Sequence, residues 1–143
     1  MQILSWLSYI LVAATVVLAD EKAPVSELKI DTTYMPAECP AKAQPGDAIR
    51  VHYTGTLYAN GKKFDSSHDR GSPLPLTLGI GQVISGWDKG LQGMCLNEKR
   101  TLTIPADMAY GSRGFGNVIP ANSPLVFTVE LVGLEPKGPR DEL

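Results

Sequence analysis

Hydrophobic and polar positions alternate most regularly across residues 47–58. There Ile49, Val51, Tyr53 and Leu57 fall on one face, and Arg50, His52, Thr54 and Thr56 on the other. A two-residue period of this kind predicts a half-buried strand. Residues 27–33 repeat it weakly through Leu28 and Ile30 and predict a second half-buried strand. Asn60-Gly61 is a hairpin signal, after which residues 62–66 return as a strand with Phe64 turned inward. Shorter strands are expected at 76–78 and 99–104. A longer one at 125–134 places Leu125, Phe127, Val129 and Leu131 on one face. Pro36, Pro40, Pro45 and Gly46 interrupt regular structure ahead of the main strand, and residues 67–75 read as irregular.

The period changes once. Within residues 81–94, Ile84, Trp87 and Leu91 recur at three- and four-residue spacing, which predicts a helix with one apolar face. Gly86 and Gly90 lower its propensity, so it is expected to run only about two turns and to depend on packing against a sheet. Residues 106–121 form a long glycine-containing connection that carries Tyr110, Phe115, Val118 and Ile119. A long loop inside a small domain is usually functional or disordered, and its apolar residues argue against disorder. The expected fold is α+β: a twisted antiparallel five-stranded sheet wrapped around one short helix.

Composition narrows the class without naming it. The chain has 143 residues, 43% of them hydrophobic, and a formal net charge of −2, in keeping with one globular domain. No run of Lys or Arg suggests nucleic acid or an anionic membrane surface as a partner. Residues 1–19 are apolar and uncharged and end V-L-A ahead of Asp20 and Glu21, which reads as a cleavable signal peptide. A membrane anchor is the other reading, although the apolar run is short for a span of about 20 residues. Residues 20–26 are expected to be a flexible segment, 27–135 the folded domain and 136–143 a tail. That tail ends Arg140-Asp141-Glu142-Leu143, which resembles the tetrapeptide read by the retrieval receptor of the endoplasmic reticulum. Together these ends predict residence in the endoplasmic reticulum lumen, with no stable membrane insertion after cleavage. In an oxidising lumen Cys39 and Cys95 read as one disulfide, with two free buried thiols as the alternative.

Familiar catalytic sets are missing. The chain has no G-x-S-x-G elbow and no P-loop. Its two histidines, His52 and His68, fall on an outward strand position and in a loop, and no metal or cofactor is expected. The feature that stands out is apolar. Tyr53, Phe64, Val83, Ile84, Trp87, Tyr110, Phe115, Val118, Ile119 and Phe127 are placed to form a hydrophobic pocket floored by Trp87. Asp65 and the hydroxyls of Tyr53 and Tyr110 are the polar groups available to orient a ligand there.

Several segments resemble, in order, those of the FKBP-type peptidyl-prolyl cis-trans isomerases: V-H-Y-T-G at 51–55, G-K-K-F-D-S-S at 61–67, G-Q-V-I-S-G-W-D-K-G-L at 81–91, A-Y-G at 109–111, V-I-P at 118–120 and L-V-F-T-V-E-L at 125–131. The resemblance spans about residues 27–135. With the two ends and the cysteine pair, it extends to the small single-domain form of the endoplasmic reticulum. It implies that Trp87 is the floor of a prolyl pocket and Tyr53, Phe64 and Phe127 its walls. It also implies that the Ile84 N–H and the Tyr110 hydroxyl bind ligand carbonyls, and that Asp65 pairs with Tyr53 and Arg70. Val83, Val118 and Ile119 match further pocket positions. Leu74 stands where the family often has an aromatic, and Phe115 where a loop histidine is common. The implied partners are proline-containing polypeptides and macrolide immunosuppressants of the tacrolimus and rapamycin class. No obvious exposed seam argues for a dimer, so a monomer is expected. A non-catalytic module that binds proline peptides or clients is the other functional reading.

Overall fold

Antiparallel pairing gathers the alternating segments into a single sheet. The computed structural model describes residues 23–137; the expected signal peptide and Arg140, Asp141, Glu142 and Leu143 lie outside them. Six strands follow in chain order: β1 (Lys29–Tyr34), β2 (Ala48–Leu57), β3 (Lys63–Ser66), β4 (Leu74–Thr77), β5 (Lys99–Ile104) and β6 (Leu125–Glu135). Their order across the sheet is β1-β5-β6-β2-β3, with β4 also paired to β2. β3 lies opposite Thr54 to Thr56 and β4 opposite Ala48 to Val51, so the two share one edge of β2 end to end. The sheet therefore has the expected width of five but is built from six segments.

Between β3 and β4 the chain makes a one-turn helix, α1 (Ser67–Arg70), within a stretch the sequence reads as irregular. Ser66 caps it by accepting the His68 N–H at 3.2 Å, and Gly71, at φ +72°, ends it in the left-handed region. Pro75 is tolerated in β4 because the strand has no partner beyond it among the described residues.

The strongest alternating strands behave as predicted. Ile49, Val51, Tyr53 and Leu57 of β2 and Leu125, Phe127, Val129 and Leu131 of β6 are all buried. β1 is a correction: it is exposed along its whole length, and Ile30 remains 44% exposed. Ile30 stands opposite Leu102 of β5, but β1 is the outermost strand and the helix seats one strand further in. Leu28, just ahead of β1, is the residue there that packs against the core.

The central helix, α2 (Ser85–Gly90), is six residues long; Trp87 on it and Leu91, its C-cap, are buried in the core as expected, while Ile84, its N-cap, packs half-buried against that core. Its glycines are explained by contact distance. A Cβ on Gly86 would lie 2.5 Å from Cγ2 of Ile104, and one on Gly90 would lie 2.9 Å from Cδ1 of Leu102. Backbone here rests directly on the side chains of β5, and any larger residue would lift the helix. Gly90→Ala is therefore expected to lose about 1–3 kcal/mol through overpacking, even though alanine is the better helix former by about 1 kcal/mol. A lower urea midpoint at unchanged slope is the measurement that shows this.

Beyond α2 the chain is fastened twice. Cys39 and Cys95 form a disulfide, with Cα atoms 5.4 Å apart. Beside it the buried Glu98 carboxylate accepts the Cys95 N–H at 2.8 Å, the Thr32 hydroxyl at 3.0 Å and Arg100 Nε at 2.5 Å. Burial works to raise the Glu98 pKa, but these donors outweigh it and hold the group below the usual carboxylate range. Arg100 also donates to the carbonyls of Gly90 and Gln92 at 2.9 Å, which ties the exit of α2 to β5.

Candidate active site

The pocket is built where Tyr53 and Phe127 meet Trp87, with Phe64 standing against Phe127. Tyr53 from β2 presents its ring edge-on to the indole, with centroids 4.9 Å apart, and Phe127 from β6 does the same at 5.2 Å. Phe64 from β3 stands perpendicular to Phe127 at 5.6 Å. Edge-to-face contacts of this kind suit the ring quadrupoles and fix the ring planes. Gly55 of β2 makes the arrangement possible, because a Cβ there would lie 2.6 Å from Phe64 and 2.7 Å from Phe127. Sequence reasoning missed Gly55; its one signal was a glycine inside an otherwise regular strand. The indole Nε1 is buried and has no hydrogen-bond partner among the described residues, so Trp87 gives the pocket hydrocarbon surface only.

These rings, with Asp65, Leu74, Gln82, Val83, Ile84 and Tyr110, enclose about 400 Å³. Val83 and Ile84 are placed by the turn ahead of α2. Gly79 and Gly81 take φ of +82° and +77°, and their N–H groups donate to the Asp88 carboxylate at 2.9 and 2.8 Å. Asp88 is thus a clamp on that turn, and Ile84 sits at the N-cap of α2.

One wall is polar. The Tyr53 hydroxyl donates to Asp65 Oδ2 and accepts from Arg70 Nη2 at 2.7 Å, while Arg70 Nη1 donates to Asp65 Oδ1 at 2.6 Å. The single turn of α1 brings Arg70 into this triangle. Burial disfavours the Asp65 charge, but the hydrogen bonds from Tyr53 and Arg70 hold its carboxyl below the usual range. Burial, then the Asp65 carboxylate, raises Tyr53, and the same two causes raise Tyr110. Hydrogen bonds to Tyr53 and then Asp65 raise Arg70 further. Every one of these groups therefore keeps one protonation state through the neutral range.

Among the residues the sequence singles out, the structure brings Tyr53, Phe64, Asp65, Leu74, Val83, Ile84, Trp87, Tyr110 and Phe127 together in the lining. Arg70 stands behind it, on Tyr53 and Asp65. Phe115 and Val118 are 58% and 46% exposed and lie outside the lining, and Ile119 is buried in the core. The 106–121 loop closes on itself: Phe115 and Ile119 exchange backbone hydrogen bonds of 2.9 and 3.1 Å. Gly114, at φ +62°, permits the close approach. Phe115 then packs on Tyr110 with ring centroids 5.2 Å apart, which supports Tyr110 from outside. Gln82 is a lining residue that sequence reasoning missed, since nothing in its spacing marks it. Among the described residues no group of three or more His, Cys, Asp or Glu is placed to hold a metal ion.

A concave aromatic pocket with few polar groups can bind and desolvate a small apolar ring while orienting a neighbouring carbonyl. Comparison with known proteins points the same way. Residues 39–132 match the profile of the FKBP-type peptidyl-prolyl cis-trans isomerases. FK506-binding protein 2 of Dictyostelium discoideum is 50% identical over 125 residues, covering 87% of this chain and 93% of that protein. FK506-binding protein 2 of Yarrowia lipolytica is 48% identical over 136 residues, covering 95% and 94%. The peptidyl-prolyl cis-trans isomerase FPR2 of Saccharomyces cerevisiae is 55% identical over 98 residues, covering 68% and 73%. The fold is similar to the crystal structure of AtFKBP13, with a TM-score of 0.67, 39% identity, and coverage of 74% of this chain and 91% of that one. This chain belongs to the FKBP-type peptidyl-prolyl cis-trans isomerases.

Proposed function

We propose that the chain isomerises X-Pro bonds of folding polypeptides in the lumen of the endoplasmic reticulum. The same pocket binds macrolides of the tacrolimus and rapamycin class. An X-Pro bond interconverts unaided over tens to hundreds of seconds, held by a resonance barrier near 20 kcal/mol. As the bond twists, resonance and its charge separation are lost. An apolar, water-poor site therefore disfavours the planar amide more than the twisted one, and a pocket shaped to the twisted form binds it preferentially. Each 1.4 kcal/mol of that preference is worth about tenfold in rate.

In this reading Trp87 is the floor for the prolyl ring and Tyr53, Phe64 and Phe127 hold its sides, while the Ile84 N–H and the Tyr110 hydroxyl take neighbouring carbonyls. The observation that carries it is the set of edge-on rings around Trp87, with the Tyr53–Asp65–Arg70 triangle fixing one wall. The luminal assignment rests on the apolar residues 1–19 and on the Arg140-Asp141-Glu142-Leu143 ending, with the latter engaging the retrieval receptor. A disulfide between Cys39 and Cys95 suits that compartment. Residues 20–26 and 136–143 flank the working domain, 27–135, which acts as a monomer.

The test is an X-Pro tetrapeptide followed from cis to trans, with and without tacrolimus. Acceleration that tacrolimus abolishes is the expected result. Tight peptide binding without acceleration would identify a non-catalytic proline-binding module instead.

A further inference from the structure

A second depression, also of about 400 Å³, lies beside the prolyl pocket. It occupies the outer face of the sheet, where Ala48 and Arg50 of β2 pair with Thr77 and Pro75 of β4, and Glu135 of β6 pairs with Ala48. Gln82 lines both depressions, so they meet at that side chain.

The meeting point is an edge strand with unusual chemistry. Leu78 donates its N–H to the Asp47 carbonyl at 2.9 Å, so along β4 the even-numbered residues turn their backbone groups toward β2. Pro75 and Thr77 therefore turn theirs outward, where a further extended chain would pair. Pro75 has no N–H to offer. The Thr77 N–H donates to Gln82 Oε1 at 2.7 Å. Gln82 is itself an exposed side chain, so its hold on Thr77 is exchangeable. The edge is thus closed to other chains by one prolyl ring and by one movable amide, and the movable one stands at the rim of the prolyl pocket. Beyond it Arg50 lies across Gly133, the glycine that leaves room for its guanidinium, and so faces the groove with Glu135 as the opposite charge.

We propose that this groove seats the polypeptide flank of the prolyl substrate, and that Gln82 is the residue the flank displaces to reach it. The proposal rests on the isomerase reading above. A protein chain with its proline over Trp87 must leave the pocket, and here it leaves across β4. Its backbone carbonyl takes the Thr77 N–H from Gln82, its N–H groups meet the outward carbonyls of β4, and its long side chains reach back over Pro75 into the groove that Arg50 and Glu135 line. Longer chains are then better substrates than short peptides, which suits an isomerase of unfolded proteins.

The experiment compares an X-Pro tetrapeptide with the same sequence lengthened on either side by about four residues, roughly 13 Å of extended chain. One extension is expected to raise kcat/KM by about tenfold, through KM, the worth of one or two hydrogen bonds and the contacts with them. Arg50→Ala should shrink the ratio of long to short substrate, and Gln82→Ala should enlarge it by leaving the Thr77 N–H free. In an NMR titration the Thr77 amide should shift with the long peptide and not with the tetrapeptide. Equal kcat/KM for long and short peptides, or ratios unmoved by both substitutions, would overturn the proposal. If even the tetrapeptide is not isomerised, the isomerase reading fails instead. The Thr77 amide then still decides the groove: a shift with the long peptide alone supports it, and shifts confined to the Trp87 pocket refute it.

Discussion

Trp87→Ala is expected to reduce kcat/KM for an X-Pro peptide by about a hundredfold or more and to cost about 3–5 kcal/mol of folding stability. Both effects have one cause. The indole is 3% exposed, so its removal opens a hole in the core. It is also the surface on which Tyr53 and Phe127 stand edge-on, so the walls lose their reference plane when the floor goes. Binding that favours the twisted amide depends on that shape, and a roomier, wetter pocket treats planar and twisted forms alike. The two effects are separated by assaying at a temperature where circular dichroism shows the variant folded. A folded Trp87→Ala protein with kcat/KM within twofold of the wild type would remove Trp87 from the mechanism.

The second large effect is on stability alone. Replacing Cys39 and Cys95 together by alanine is expected to cost about 4 kcal/mol, because the bond closes a loop of 56 positions and restricts the unfolded chain accordingly. The native fastening near Cys95 has a second part. Glu98 holds the Cys95 N–H, and Arg100 holds the carbonyls at the end of α2. The variant should therefore keep its pocket and its kcat/KM at low temperature while unfolding at a much lower denaturant midpoint. Reductant should produce the same midpoint in the wild type. A midpoint unchanged by either treatment would mean that the hydrogen-bonded network suffices without the disulfide.

What could be read in advance follows from how far each decision is local. β2 and β6 were legible because one face of each is buried and the other is not, which leaves a two-residue period. The helix was legible from Ile84, Trp87 and Leu91. β1 misled because Leu28 and Ile30 alternate correctly, yet exposure is set by the strand's position at the edge of the sheet. α1 has no period to detect: a serine cap and a glycine stop define its single turn. Gly86 and Gly90 read as weaknesses until their distances to Ile104 and Leu102 showed them to be contacts. Phe115, Val118 and Ile119 carry the right chemistry for a pocket, but the bridge between Phe115 and Ile119 decides where they point. Arg70 was expected on Asp65 only through resemblance, since five residues and a helical turn separate them. The Gln82 contact with Thr77 leaves no mark in the sequence at all.

The central claim is that the pocket works by shape and desolvation, without proton transfer. Asp65 is held below the usual carboxylate range, and Tyr53, Tyr110 and Arg70 are held above theirs. As pH falls through the Asp65 pKa, its pair with Arg70 breaks and Tyr53 is released. As pH rises through the Tyr53 and Tyr110 values, the wall becomes anionic. Between those limits no charge changes in the lining. The direct measurement is kcat/KM for an X-Pro peptide across pH. A flat profile from about pH 5 to about pH 9 is expected. A bell-shaped profile with limbs inside that window would reveal a general acid or base and contradict it.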